Sequence, residues 1–206
     1  LIATYWRPVF SYLRAKGHTA TDAEDLTQEF FVRFLAKGWL DRADPGKGCF
    51  RAFLKTLAGR FALVRTDRAR QQDRFERQFV AVSTLVKDED RRYEPAAGET
   101  PEEAFDRQWK QETLATVRRN LRAYYEGADD PKLRRRFEIF AAYYLAERVS
   151  EQPTRDVLAA RYGMTLDAVR HALDEVNKRY ERLLRQEIRD QVGSEDEVEA
   201  ELRSLV

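Results

Sequence analysis

Cysteine and histidine are almost missing: the 206 residues hold one cysteine, Cys49, and two histidines, His18 and His171. A lone thiol closes no internal bridge, and this set builds neither a disulfide framework nor a cysteine-based zinc site. Turn formers are also scarce, with nine Gly and six Pro against twelve Phe, nine Tyr and three Trp. Such a chain has ample apolar area to bury and is not disordered throughout. No long hydrophobic run occurs. The longest, Ile139 to Ala146, is less than half of the roughly 20 residues that cross a bilayer, so no membrane partner is expected. Leu1 to Phe10 lacks Met and carries Arg7 inside what would be a signal core. It therefore reads as a trimmed start without an export signal, and the expected location is cytoplasmic.

What is present is charge, at 35% of the chain, with a net value of only +1. The balance hides a pattern. Cys49 to Phe79 holds eight bases against three acids, Val80 to Glu112 holds five against nine, and the last sixteen residues hold one base and five acids. The first block can neutralise phosphates.

Apolar residues recur with helical period and nowhere alternate like a strand, so an all-α fold is expected. Ile2, Tyr5, Trp6, Val9, Phe10 and Leu13 mark a first helix that stops at Gly17. A capping box of Thr21 and Glu24 opens a second, at about 22 to 37. Phe50, Phe53, Leu54, Leu57, Phe61 and Val64 mark a third, long and basic. Periodicity lapses from Val80 to Gly98, which predicts a flexible tether. Thr100, Pro101 and Glu103 then form the strongest helix start in the chain. Further on, Thr154 caps a short helix closed by Gly163, and Thr165 caps the next. This is the spacing of a helix-turn-helix. The expected segments are a three-helix domain at 1–79, a linker at 80–99, a helix-turn-helix domain at 100–190 and an acidic tail at 191–206.

Asp22, Asp25 and Glu29 share one face of the second helix, but no second carboxylate helix matches them, so neither a metal nor another cofactor is expected. Neither histidine has a nucleophile or acid partner in a known pattern, and no Gly-rich phosphate loop exists, so an enzyme is not expected. The third helix combines aromatic and basic residues, as single-stranded nucleic acid requires. The helix-turn-helix can enter a duplex major groove.

Asp22-Ala-Glu-Asp-Leu-Thr-Gln-Glu-Phe-Phe31, Phe50-Arg-Ala-Phe-Leu-Lys-Thr-Leu-Ala58 and Asp67-Arg-Ala-Arg70 resemble region 2 of bacterial sigma factors of the extracytoplasmic-function group. Leu158-Ala-Ala-Arg-Tyr-Gly-Met-Thr-Leu-Asp-Ala-Val-Arg170 resembles the helix-turn-helix of region 4. The resemblance implies a factor that binds core RNA polymerase and opens promoter DNA, with an anti-sigma factor as a further partner. By position, Asp25, Gln28, Glu29 and Phe30 would face polymerase, with Phe30 or Phe31 as an exposed aromatic. Arg51, Phe53, Lys55, Arg60, Arg65, Arg68 and Arg70 would meet the minus-ten element. Thr165, Arg170, His171, Lys178 and Arg179 would meet the minus-thirty-five element. Two departures stand out. Arg60 replaces the usual Asn of a flipped-base pocket, and Asp174, Glu175 and Asn177 stand where the group tends to place His or Arg. Those acids either repel phosphates or pair with Lys178 and Arg179 one turn on. The rival readings are a duplex-binding helix-turn-helix regulator that acts without polymerase and, well behind it, a metal-dependent helical hydrolase.

Overall fold

A computed structural model describes residues 2–39, 48–68, 95–145, 152–192 and 194–205, with the side chains of 64–68 left out. Eight helices and no strand occur among the described residues: α1 (Ile2–Ala15), α2 (Ala20–Ala36), α3 (Phe50–Arg68), α4 (Pro101–Glu126), α5 (Pro131–Tyr144), α6 (Arg155–Tyr162), α7 (Leu166–Arg189) and α8 (Glu195–Leu205). The fold is all-α, as the periodicity requires.

Two compact units form. The first comprises Leu1–Thr113 and Ile188–Val206, the second Leu114–Glu187. Packing thus draws its lines differently from the segments read in the sequence: the first half of α4 and all of α8 belong with α1 to α3. Most of the 80–99 segment lies outside the described residues.

In the first unit, α1 ends where Gly17 takes a φ of 95°, a conformation that costs glycine nothing. The start of α2 corrects the expected capping box. The cap is Thr19, not Thr21: its hydroxyl accepts from the Asp22 N–H at 3.1 Å and donates to the Asp22 carboxylate at 2.7 Å. The carboxylate that closes on this cap is that of Asp22, at the third helical position, and it takes the Thr19 hydroxyl. Trp6, Phe10, Phe30, Phe31, Phe34, Leu54, Phe61, Phe105 and Trp109 build the core. Trp6 stacks on Phe31 at 5.8 Å between centroids, and Phe30 meets Phe61 edge-on at 5.6 Å. Such ring pairs add about 0.5–1.5 kcal/mol each beyond the area they bury. Helix α1 approaches α3 so closely that a Cβ at Gly59 would lie 2.9 Å from the Tyr12 hydroxyl. That hydroxyl donates to Glu102 at 3.1 Å, and burial, with the Glu102 charge second, pushes it up to about 12.

Helix α4 starts as its sequence dictates. Thr100 accepts from the Glu103 N–H at 3.2 Å, and the Glu103 carboxylate returns to the Thr100 N–H at 2.8 Å. Farther along the chain, the Gln191 side-chain oxygen accepts from both the Tyr5 hydroxyl and the Trp109 indole N–H, each at 2.9 Å.

The second unit packs Leu121, Tyr125, Phe137, Phe140, Leu158, Val169, Leu173 and Val176. Its helix-turn-helix forms as the sequence indicates. Thr154 caps α6, Gly163 adopts φ 60° and ψ 44° with the Met164 N–H bonded to the Ala159 carbonyl at 2.9 Å, and Thr165 accepts from the Ala168 N–H at 3.2 Å.

Candidate nucleic-acid interface

Helix α3 carries the basic block, and its geometry divides that block. Nine residues at about 100° each set Arg60 roughly 180° around the helix from Arg51, whereas Lys55 follows Arg51 by about 40°. Arg60 is exposed, whereas Phe53 is half-buried, packed against the rim of the core with its ring 6.1 Å from that of Phe50. These two share the outer face with exposed Thr56 and Leu63, the latter 66% exposed. An aromatic beside a cation on an open helix face is what an unstacked base and its phosphate require. Arg65 and Arg68 lie on the same helix, with side chains outside the described set, and Arg70 falls outside the described residues altogether.

Arg51 and Lys55 occupy a different setting. The Arg51 guanidinium lies 4.2 Å from the Trp109 ring centroid. Its Nε donates to one Glu201 oxygen at 3.1 Å, Nη2 makes an ion-pair contact with the other at 2.7 Å, and Nη1 bonds Asp106 at 3.0 Å. The Lys55 ammonium takes the other Asp106 oxygen at 2.7 Å. Glu201 is 4% exposed, and it also accepts from Ser204 at 3.2 Å. Beside it, burial first and a bond to Glu201 second push the Cys49 thiol up. Two of the seven residues read as minus-ten contacts are therefore neutralised within the first unit. The sequence reading missed Asp106, Trp109 and Glu201. The available signal was the pair of acidic blocks flanking the basic one, since like amounts of opposite charge in one chain tend to meet.

On α2, Asp25 is exposed, whereas Gln28 and Glu29 are buried at 5% and 8% exposure and Phe30 is at 0%. Phe31 is equally enclosed, so the exposed aromatic expected beside the acidic face is absent: both rings serve the core. Glu29 pairs with Arg33 at 2.5 Å, and the Arg33 guanidinium lies 5.6 Å from the Phe61 ring. Partial burial, then the charges of Glu24 and Asp22, raise the Asp25 carboxyl above its ordinary value. A raised folded-state value means that ionisation of Asp25 opposes folding, and that the stability tied to its protonated form is lost as pH rises through that value. Asp25→Asn is thus expected to raise the melting temperature at pH 7, with the gain vanishing below the ordinary aspartate range. Thermal melts of both proteins between pH 3 and 7 check this.

On α7, Arg170, His171, Asp174 and Lys178 are exposed and fall within about a third of the helix circumference. Arg170 bonds Asp167 at 3.1 Å. His171 borders a cavity of about 260 Å³ that Lys132, Arg135 and Arg136 also line. Thr165 serves as the cap. Arg179 points elsewhere, its guanidinium 3.5 Å from the Tyr124 ring centroid. Glu175 bonds Arg136 of α5 at 2.7 Å, so its partner is neither of the cations one turn along. Asp174 alone remains as an acid on the outward face at that depth.

Among the described residues no group of three or more His, Cys, Asp or Glu could hold a metal ion, and no helix is long and apolar enough to cross a membrane. Residues 1–75 match the family model for Sigma-70 region 2. Neither the curated proteins nor the solved structures contain a match to the chain.

Proposed function

We propose that the chain, whose residues 1–75 match the family model for Sigma-70 region 2, is a sigma-70 family sigma factor of the extracytoplasmic-function group that binds core RNA polymerase and opens specific promoters. The observation that carries this reading is the order of two parts: a region 2 domain with Phe53 and Arg60 on one open face of α3, followed by a capped helix-turn-helix at 154–189. In this reading Asp25 anchors polymerase, the outer face of α3 holds the melted minus-ten strand, and Arg170, His171 and Lys178 approach the minus-thirty-five duplex. Arg179, committed to Tyr124, contributes through packing. Asp174 opposes phosphates at close range, so the duplex contact is the weaker of the two. Catalysis stays with the polymerase. The charge character of both surfaces also fits an anti-sigma factor that covers them.

The test is recruitment. Purified core enzyme is expected to bind the chain and to start transcription at a defined position only in its presence; failure of either ends the proposal. Asp25→Arg is expected to weaken core binding by about tenfold or more, since loss of an interface anchor costs about 2 kcal/mol. Glu29 is unsuitable for this test because its pair with Arg33 lies half inside the fold. Pull-down with unchanged helicity reads the effect, and unaltered core binding removes Asp25 from the interface.

A further inference from the structure

We propose that Arg51, Lys55 and Trp109 form a phosphate seat which the chain's own Asp106 and Glu201 occupy, making α8 an internal competitor of nucleic acid. The inference rests on the reading of α3 as a DNA-binding helix. Its geometric basis is the fork on Arg51. The guanidinium Nε donates to one Glu201 oxygen at 3.1 Å and Nη2 stands in ion-pair contact with the other at 2.7 Å, a two-point grip that a guanidinium also offers a phosphate. Trp109 backs the guanidinium plane at 4.2 Å, and Lys55 lies alongside, joined to Arg51 through Asp106 of α4, whose two carboxylate oxygens take Arg51 Nη1 and the Lys55 ammonium.

The covering helix has the chemistry of the ligand it displaces. It carries Glu195, Asp196, Glu197, Glu199 and Glu201 against Arg203 alone, a dense anionic charge as on a nucleic-acid backbone. Val198 is buried, Leu202 and Leu205 are partly buried, and Glu195 pairs with Arg189 at 2.6 Å. No residue of α8 belongs to the buried aromatic core, so the helix can leave without dismantling the ring contacts of α1 to α3. The open face of α3, with Phe53 and Arg60, stays accessible throughout. DNA therefore meets the outer face first and gains the inner seat only when α8 yields it.

The experiment uses the full chain and a fluorescent single-stranded oligonucleotide, with affinity measured across a salt series. The double variant Asp106→Asn with Glu201→Gln keeps the shapes and removes both charges. It is expected to bind about tenfold tighter at low salt, with a log-log slope steeper by about 1.4, the contribution of two further phosphates on a single strand. A folded double variant with unchanged affinity and slope overturns the proposal. A second measurement needs no variant. Hydrogen exchange in 195–205 of the unmodified chain is expected to quicken at saturating oligonucleotide, and unchanged or slower exchange overturns it as well. Arg60→Ala separates the two levels. Its failure to weaken binding brings down the reading of the outer face. Weakened binding with no gain in the double variant brings down the inner seat alone.

Discussion

Phe30→Ala is expected to lower the stability of the chain by about 3–5 kcal/mol, the cost of emptying a buried phenylalanine site that its neighbours cannot refill. Phe30 is fully enclosed, meeting Phe31 at 5.2 Å, Phe34 at 6.3 Å and Phe61 at 5.6 Å between centroids. Removing it takes one ring contact from each of the three at once, and those ring-pair contributions are lost with the area. Urea unfolding followed by far-ultraviolet circular dichroism measures this. The same variant separates packing from recognition, because any loss of polymerase binding should track the unfolded fraction. A stable Phe30→Ala protein that no longer binds core enzyme would return Phe30 to the interface.

Trp109→Ala carries a comparable expectation, about 3–5 kcal/mol, by a different route. The indole is 1% exposed and serves three neighbours: it packs in the core beside Phe105, gives its N–H to Gln191, and lies under the Arg51 guanidinium. Alanine leaves a cavity and frees Arg51 from its backing. Trp109→Phe separates these contributions, since phenyl retains an aromatic face for Arg51 and loses only the donor and part of the volume. Its cost should be about 1–2 kcal/mol, near the worth of a hydrogen bond with a small packing loss, because Tyr5 still donates to Gln191. Equal destabilisation by both substitutions would contradict a structural role for the ring face.

Local chemistry was legible at most helix ends, where a few consecutive residues decide the outcome; the start of α2, capped by Thr19 rather than Thr21, is the exception. Thr100 with Glu103, Thr154, Gly163 and Thr165 mark helix ends whose hydrogen bonds span three to five positions, and each forms as written. The region 2 resemblance was also carried by short runs. What escaped depends on contacts distant in sequence. Arg51 pairs with residues 55 and 150 positions away, and no helical period reports on that. Helix α2 was misjudged for another reason. Thr27 to Val32 and Phe34 are all buried, so it has no simple apolar stripe, and an acidic neighbour made Phe30 look like the edge of a surface. The opposite placement of Arg51 and Arg60 was in fact available from spacing alone, since nine residues make two and a half turns.

Gln191 also bears on the order in which the chain becomes structured. Its oxygen joins Tyr5, 186 positions earlier, and Trp109, 82 positions earlier. Closure over such separations is slow to reach and comes late. During synthesis the ribosome must deliver residues 188–206 before the first unit has all its parts, although α1 to α3 emerge first. The second unit is a continuous stretch, Leu114–Glu187, and has its full complement earlier. The amino-terminal helices therefore wait for residues 188–206, and a nascent chain stalled before Gln191 presents Tyr5 and Trp109 without their shared acceptor.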